Sequence, residues 1–388
     1  MFYKGAWTLL KKDKANKIIE NGFTLDVTSL YPSAMHSIGG FRYPVGLPTP
    51  LYEMPKQFDE ELYYFIHIRC SFELRKGYLP TIQIKGSPCY KGNEWLESSR
   101  IYYKGVYYDK VIIFGREYTK VVDLYLTQYD FKLLFEHYNF SDLEYVDGCV
   151  FFTKAGIFDE YIDKFIYEKN NSEGANRAIA KYFLNNLYGK IASSDRSSYK
   201  VAYINEEGAI SYNVVEEHNK QVLHIACGAA ITSHARYFTI THAQANYDIF
   251  CYADTDSLHM QGNPDNAKKC VIAKNQLNTW KLESIWTSAI FVRQKVYIER
   301  YNDEFAEDEK MRYLVKCAGM GKRCKQLIRK ALGDEYIKVD KITDEEAEFL
   351  EKFNGMEDFK VGLKVPSNLK SKQIKGGTLL VKKDFNLR

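Results

Sequence analysis

Two carboxylates one residue apart, Asp254 and Asp256 in Tyr252-Ala253-Asp254-Thr255-Asp256-Ser257, stand between apolar runs. The order apolar, acidic, apolar over residues 249–260 predicts two strands joined by a turn that holds both carboxyl groups. Like charges at a hairpin tip repel unless they share a cation. Mg²⁺ takes one or two carboxylates and completes its shell with water and substrate phosphates, which suits a short acidic turn. An ordinary solvated Asp-rich hairpin fits the same residues. A calcium loop does not, because Leu258 stands where Asp or Asn is needed and His259 where Gly is needed.

Far upstream, Leu25-Asp26-Val27-Thr28-Ser29-Leu30-Tyr31-Pro32-Ser33 ends an apolar strand on an Asp and turns into a segment with a Tyr. Such an Asp can be a helix cap. It can also be half of a two-metal phosphoryl-transfer site, which needs carboxylates from separate strands converging on ions about 4 Å apart. Asp26 and Asp256 are the candidate pair.

Between them lies Asn176 to Lys190. At about 3.6 residues per turn, Arg177, Lys181, Asn185 and Tyr188 fall on one helix face and Ile179, Tyr182, Phe183 and Leu187 on or near the opposite one. The first face can grip a triphosphate with Tyr188 under a base, or it can be a solvated basic face on a core helix. In Arg293-Gln294-Lys295-Val296-Tyr297-Ile298, alternation puts Arg293, Lys295 and Tyr297 on one side of a strand, for phosphate contact and stacking or as a charged sheet face.

The elements that must position these groups follow from patterning. Phe23–Val27 predicts a strand that runs through a tight turn into a short helix. Tyr63–Phe72 and Thr81–Ile84 predict strands, and residues 100–128 alternate as hairpins do. Asp130–His137 is a short amphipathic helix. Residues 159–190 are the most helical region, interrupted at Gly174 and ended in the left-handed conformation at Gly189. Tyr199–Ile204 and Ile210–Val215 flank Glu206-Glu207-Gly208 as a hairpin. Residues 227–247 have helical periodicity, and residues 301–309 form an acidic loop. Strands and helices without regular βαβ alternation indicate α+β.

The 388 residues are 45% hydrophobic and 27% charged, enough for a large core in two or three domains and against general disorder. A net charge of +4 does not decide for or against nucleic acid, so its distribution must. Residues 312–332 carry seven basic residues and no acidic one, and residues 356–388 are again net positive. Eight scattered cysteines without a C-x-x-C pair rule out a zinc ribbon and suggest reduced thiols. No uncharged apolar run of about 18 residues exists, and the N-terminus lacks a signal-peptide core, so an intracellular, cytoplasmic protein without a membrane span is expected. No G-x₄-G-K-[ST] loop and no H-E-x-x-H occurs.

Taken in order, D-x-x-S-L-Y-P-S, K-x₃-N-x-x-Y-G, Y-x-D-T-D-S and K-x-Y form a combination far more specific than any member. The sequence resembles the polymerase portion of family B DNA polymerases, in particular the small protein-primed enzymes of bacteriophages, from Tyr3 to Arg388. Thr81–Lys85, Lys316–Met320 and Gly376–Val381 add to the match. The resemblance implies a right-hand fold: palm at residues 1–37 and 226–317, fingers at 157–192 and thumb at 318–388. It also implies an insertion at 38–156 that meets the priming protein or DNA, and a second at 193–225 that encircles downstream DNA.

It implies that Asp26, Asp256 and the Val27 carbonyl hold two Mg²⁺ ions, with Mn²⁺ as a substitute, and that Asp254 is the neighbouring catalytic acid. Tyr31 would close the sugar pocket against a 2′-hydroxyl. Lys169, Arg177 and Lys181 would bind the dNTP triphosphate, and Asn185, Tyr188 and Tyr252 would line the nascent pair. Tyr3, Gly5, Thr255, Lys295, Tyr297 and Lys316 would contact primer or template. The implied activity is template-directed addition of dNTPs to a primer 3′-hydroxyl or a protein hydroxyl, replicating a viral or mobile-element genome. The implied partners are template-primer DNA, dNTPs, a terminal priming protein and a separate exonuclease, with the chain a monomer.

Two departures stand out. Asn186 replaces the family's usual Ser, a larger group with hydrogen-bonding capacity at the base pair. The match begins at the linker to the polymerase domain, so this chain is expected to lack the upstream exonuclease domain and with it proofreading. Strand displacement and processivity are expected to weaken. Two rivals share part of the pattern. A nucleotide-sugar glycosyltransferase also uses D-x-D but needs neither the Lys-Asn-Tyr helix nor K-x-Y. A truncated module could bind DNA or a priming protein without polymerising.

Overall fold

A computed structural model of the chain describes residues 2, 4–91, 94–193, 197–217, 224–374 and 377–388. Its centre is a seven-stranded antiparallel sheet. In spatial order the strands are Thr8–Leu10, Phe250–Asp254, Ser257–Gln261, Ile18–Val27, Trp280–Arg293, Val296–Tyr301 and Tyr313–Cys317. Period-two alternation sorts the two faces. Phe23, Leu25 and Val27 point to a core shared with Phe250, Leu258, Met260 and Trp280. The helices Ile225–Ala245 and Leu30–Met35 cover this core with Ala235, Ile240, Ala243 and Leu30. Thr24 and Asp26, on the alternate positions, line an open cleft on the other side. At Gly22 a Cβ would stand 2.1 Å from the Trp286 ring, so only glycine lets that indole seal the strand.

A second, four-stranded antiparallel sheet runs Tyr43–Pro50, Tyr138–Lys154, Leu62–Leu74 and Val122–Thr127, with the helix Gln128–His137 against it. Two small hairpins, within 101–108 and 110–119, extend from it. The helices Asp159–Asn171 and Gly174–Ile191 pack as a pair. Ser197–Ile204 and Ile210–Glu217 form a hairpin closed by Gly208 (φ +70°) and by Asn205, whose side chain accepts from the Glu207 and Ala209 amides. The C-terminal part packs the helices Lys322–Ala331 and Asp344–Lys352 and the hairpin Lys364–Ile374/Gly377–Asn386 around Leu327, Ile328, Phe349 and Phe359. The α+β class is as expected, and among the described residues no helix is long and apolar enough to cross a membrane.

Four local expectations are corrected. Thr81–Ile84 is not a strand; beyond one bridge from Ile82 to Leu96, its amides are held by the Tyr138 hydroxyl, which accepts from Thr81 (2.7 Å) and Ile82 (3.1 Å). The acidic loop holds a helix, Asp303–Glu309: Asn302 caps it by accepting from the Phe305 amide, and Asp303 and Glu304 sit where the helix dipole favours them. Gly189 does not end its helix, which continues to Ile191. The buried stripe of that helix is Ala180, Leu184 and Ile191, whereas Ile179, Tyr182 and Phe183 are exposed. Phe183 stacks on Phe165 of the neighbouring helix yet stays 43% exposed, so aromatic content does not mark the core face.

Candidate active site

Strand register brings the two remote aspartates together. Asp26 pairs across the ladder with Ser257, and the Val27 amide donates to the Asp256 carbonyl at 2.7 Å. The turn between the acids is strained and pinned. Thr255 is β-branched yet has φ +66°; its amide donates to the Trp7 carbonyl, and its own carbonyl accepts from the Thr239 hydroxyl. Ser29 (φ 54°) and Lys295 (φ 62°) are likewise left-handed, and both lie at the same cleft.

Asp26, Asp254 and Asp256 line a cavity of about 480 Å³ with Glu283, Lys295, Tyr297, Lys316 and Lys325. Asp254 is neutralised by Lys295 at 2.8 Å. Among the described residues Asp26 and Asp256 have no such partner. Burial and then the neighbouring Asp256 and Glu283 charges push Asp26 up to about 7, and burial with Asp254 and Glu283 raises Asp256. Among the described residues no group of three or more His, Cys, Asp and Glu could hold a metal by itself. Two uncompensated carboxylates at an open cleft suit an ion that shares its shell with substrate phosphates.

Across the cleft stand cations. Lys169 donates to the Ser29 hydroxyl at 3.0 Å, and Arg177 donates to the Lys169 carbonyl at 3.2 Å. Burial, then Arg177 and Lys181, lower the Lys169 pKa, while Asp26 raises it, so the cations lie within electrostatic reach of the acid. Tyr31 and Tyr188 stack at 3.9 Å between ring centroids. Asn185 is exposed on this helix, and Asn186 bonds back to the Tyr182 carbonyl.

Other expected positions fall differently. Tyr252 is fully buried beneath the acidic turn, its hydroxyl accepting from the Lys295 amide, so its ring is not open to a nucleotide. This corrects its expected place at the dNTP: the ring fills the sheet interior. The Gly5 carbonyl accepts from Arg236 at 3.0 Å; Tyr3 lies outside the described residues. Of the seven basic residues in 312–332, Arg312, Arg323 and Arg329 are spent on Asp303, Glu335, Glu346 and Asp334. Among the described residues no ion pair engages Lys316, Lys322, Lys325 or Lys330.

Glu283 is a cleft residue that sequence reasoning missed. Its only signal was an acid in the strand preceding K-x-Y. Arg236 was also missed: it grips Asp130 through two 3.0 Å bonds and holds the Lys4 and Gly5 carbonyls, fixing the N-terminal segment on the helix Ile225–Ala245. Burial alone would raise Asp130, but Arg236 and Lys4 hold it below its ordinary value.

Comparison with known proteins agrees with this geometry. Residues 1–276 match the family model "DNA polymerase type B, organellar and viral". The DNA polymerase of Bacillus phage phi29 is 37% identical over 402 aligned residues, covering 100% of this chain and 61% of the relative. That of Streptococcus phage Cp-1 is 34% identical, covering 94% of this chain and 56% of the relative. The phi29 polymerase complexed with primer-template DNA and incoming nucleotide superposes with a TM-score of 0.78 at 36% identity, over 100% of this chain and 61% of that one. The chain thus spans about three-fifths of the length of the phi29 enzyme it matches. It belongs to the organellar and viral type B DNA polymerases.

Proposed function

We propose that this chain carries the catalytic centre of a template-directed DNA polymerase, adding dNTPs to a primer 3′-hydroxyl or to the hydroxyl of a terminal priming protein. The observation that carries this reading is that Asp26, beside Asp256 in one cleft, lies within electrostatic reach of the Lys169 and Lys181 cations. Phosphoryl transfer is chiefly positioning and charge neutralisation, and these groups are spaced for both. Asp26, Asp256 and the Val27 carbonyl hold Mg²⁺, with Mn²⁺ as a substitute. When bound there, the ions supply Lewis acidity toward the primer hydroxyl and charge neutralisation toward the phosphates.

Lys169, Arg177 and Lys181 bind the triphosphate. Tyr31, stacked on Tyr188, presents a ring edge to the sugar and rejects a 2′-hydroxyl. Asn185 lines the base pair. Lys295, Tyr297 and Lys316 hold the primer end, and Thr255 orients the acids between them. On this reading residues 1–37 and 226–317 are palm, 157–192 fingers and 318–388 thumb, with 38–156 and 193–225 as the insertions facing the priming protein and downstream DNA. An editing nuclease, on this or another polypeptide, is the remaining partner.

The test is extension of a labelled primer on a DNA template with Mg²⁺ or Mn²⁺, comparing wild type with Asp256→Ala. Wild type extends and the variant falls by about 10³-fold or more, as loss of a metal carboxylate predicts. Equal extension by both would end the assignment.

A further inference from the structure

Beneath the cleft lies a polar network that the proposed chemistry does not use. Glu299 is fully buried, and its carboxylate collects three donors. The Thr24 hydroxyl reaches Oε1 at 2.9 Å, His259 Nδ1 reaches Oε1 at 2.6 Å, and the Ser284 hydroxyl reaches Oε2 at 3.3 Å. A carboxylate only accepts, so His259 carries its proton on Nδ1, which leaves Nε2 to pair with the Ser257 hydroxyl at 3.3 Å. Trp286 Nε1 donates to Thr24 Oγ1 at 3.3 Å and closes the network from below.

The placement of these donors is the point. Thr24 is two residues from Asp26 on the same strand face. Ser257 follows Asp256 directly, and Ser284 follows Glu283 directly. The three segments that bring Asp26, Asp256 and Glu283 to the cleft are therefore each tied, within three residues of the carboxylate, to one side chain on a further strand. Glu299 also shares its strand face with Tyr297.

Burying a carboxylate is costly, and apolar residues would seal the same space at least as well. What apolar packing would not supply is register. A one-residue slip of the strand Ile18–Val27 would turn Leu25 into the cleft and Asp26 into the core.

We infer that Glu299, through His259, Thr24 and Ser284, is a positioning residue that fixes the relative placement of Asp26, Asp256 and Glu283 for divalent-ion binding. The inference rests on the polymerase reading of the cleft. Hydrogen-bond partners beyond the ligands themselves commonly set metal affinity, with losses of about 10–100-fold on mutation. Glu299 bonds none of the three cleft carboxylates and acts through the strands that carry them, so the low end of that range applies.

The experiment titrates Mn²⁺ by electron paramagnetic resonance into the protein bound to a dideoxy-terminated primer-template and dNTP, alongside the Mg²⁺ half-saturation of primer extension. Both are run well below the melting temperature. Glu299→Leu raises the Mn²⁺ dissociation constant and the Mg²⁺ half-saturation by about tenfold while primer-template affinity stays level. Glu299→Gln keeps an acceptor for His259 and Thr24 and recovers most of the loss. Should Glu299→Leu fail to fold, Thr24→Val, nearly isosteric, is read instead and raises both quantities by about threefold. Mn²⁺ binding unchanged in the folded variant overturns the inference. Extension unaffected by Asp256→Ala overturns the polymerase reading instead, so the two failures are distinct.

Discussion

The acidic pair stores a measurable destabilisation, and Asp26→Asn should release it. In the metal-free protein the Asp26 carboxyl is raised from its ordinary 3.8 to about 7, by burial first and by Asp256 and Glu283 next. A folded-state pKa above the unfolded one means that the native chain holds a proton the unfolded chain has lost. Stability is therefore full below pH 3.8 and declines as pH rises toward 7, flattening beyond. At about 1.36 kcal/mol per pH unit, that interval corresponds to about 4 kcal/mol, and solvent at the partly exposed carboxyl trims it to about 2–4 kcal/mol. Asn cannot ionise. Asp26→Asn should match wild type near pH 4, exceed it by about 1–2 kcal/mol at pH 5 and reach its full advantage by pH 8.

The assay is urea unfolding in EDTA across that range. Mg²⁺ should close most of the gap at pH 8, since an ion at about 100 times its dissociation constant adds about 2.7 kcal/mol to wild type only. A variant no more stable than wild type at pH 8 in EDTA would refute the electrostatic account of the cleft.

Three further outcomes follow from the charge inventory. Replacing Lys316, Lys322, Lys325 and Lys330 by Ala should lower the slope of log DNA affinity against log salt by about 0.9 for each lysine seated on a phosphate. Arg329→Met should leave that slope alone and cost about 2 kcal/mol in denaturant, because buried Asp334 loses its 2.7 Å partner; filter binding at stepped NaCl separates the two classes. Arg236→Met should cost about 3–5 kcal/mol by stranding Asp130 and freeing the Lys4 and Gly5 carbonyls, with part recovered on adding Asp130→Asn. A loss under about 1 kcal/mol in denaturant melts would mean that the buried pair is not what seats the N-terminal segment.

What the sequence disclosed was chemistry with a local signature. Asp254 and Asp256 stand out because apolar runs leave a turn as their only place, and Lys295 and Tyr297 because alternation survives in their strand. The turn-to-helix segment at Tyr31 and the hairpin at Gly208 were legible for the same reason. Groups defined by distant partners were not. Thr24 meets Glu299 across 275 positions, and nothing near either residue hints at it. Tyr252 misled because alternation gives a side chain's face but not its depth; the ring lies under the turn, not in the cleft. The helix 174–191 misled because its packed edge is a stripe of Ala180, Leu184 and Ile191, while the larger apolar residues face outward. The basic run 312–332 looked uniform, yet acids from either side of it in the chain claim its arginines and leave its lysines.

The two walls of the cleft are each unbalanced, and in opposite senses. The sheet offers Asp26, Asp256 and Glu283, with the nearby Lys295 committed to Asp254. The helix pair offers Lys169, Arg177 and Lys181, and burial first, then its two cationic neighbours, lower the Lys169 pKa. If these charges existed to stabilise the fold, direct pairing would serve best, and Asp26 would sit below its ordinary pKa instead of well above it. Keeping the walls apart leaves room for a guest that is itself divided, cationic toward the sheet and polyanionic toward the helices. A metal-bound triphosphate has that polarity. A nucleotide sugar's diphosphate shares it, but would leave the Tyr31–Tyr188 stack and the lysines beyond Tyr297 without an occupant. A primed duplex uses both, which is why the charge pattern favours nucleotidyl transfer over the other D-x-D chemistry.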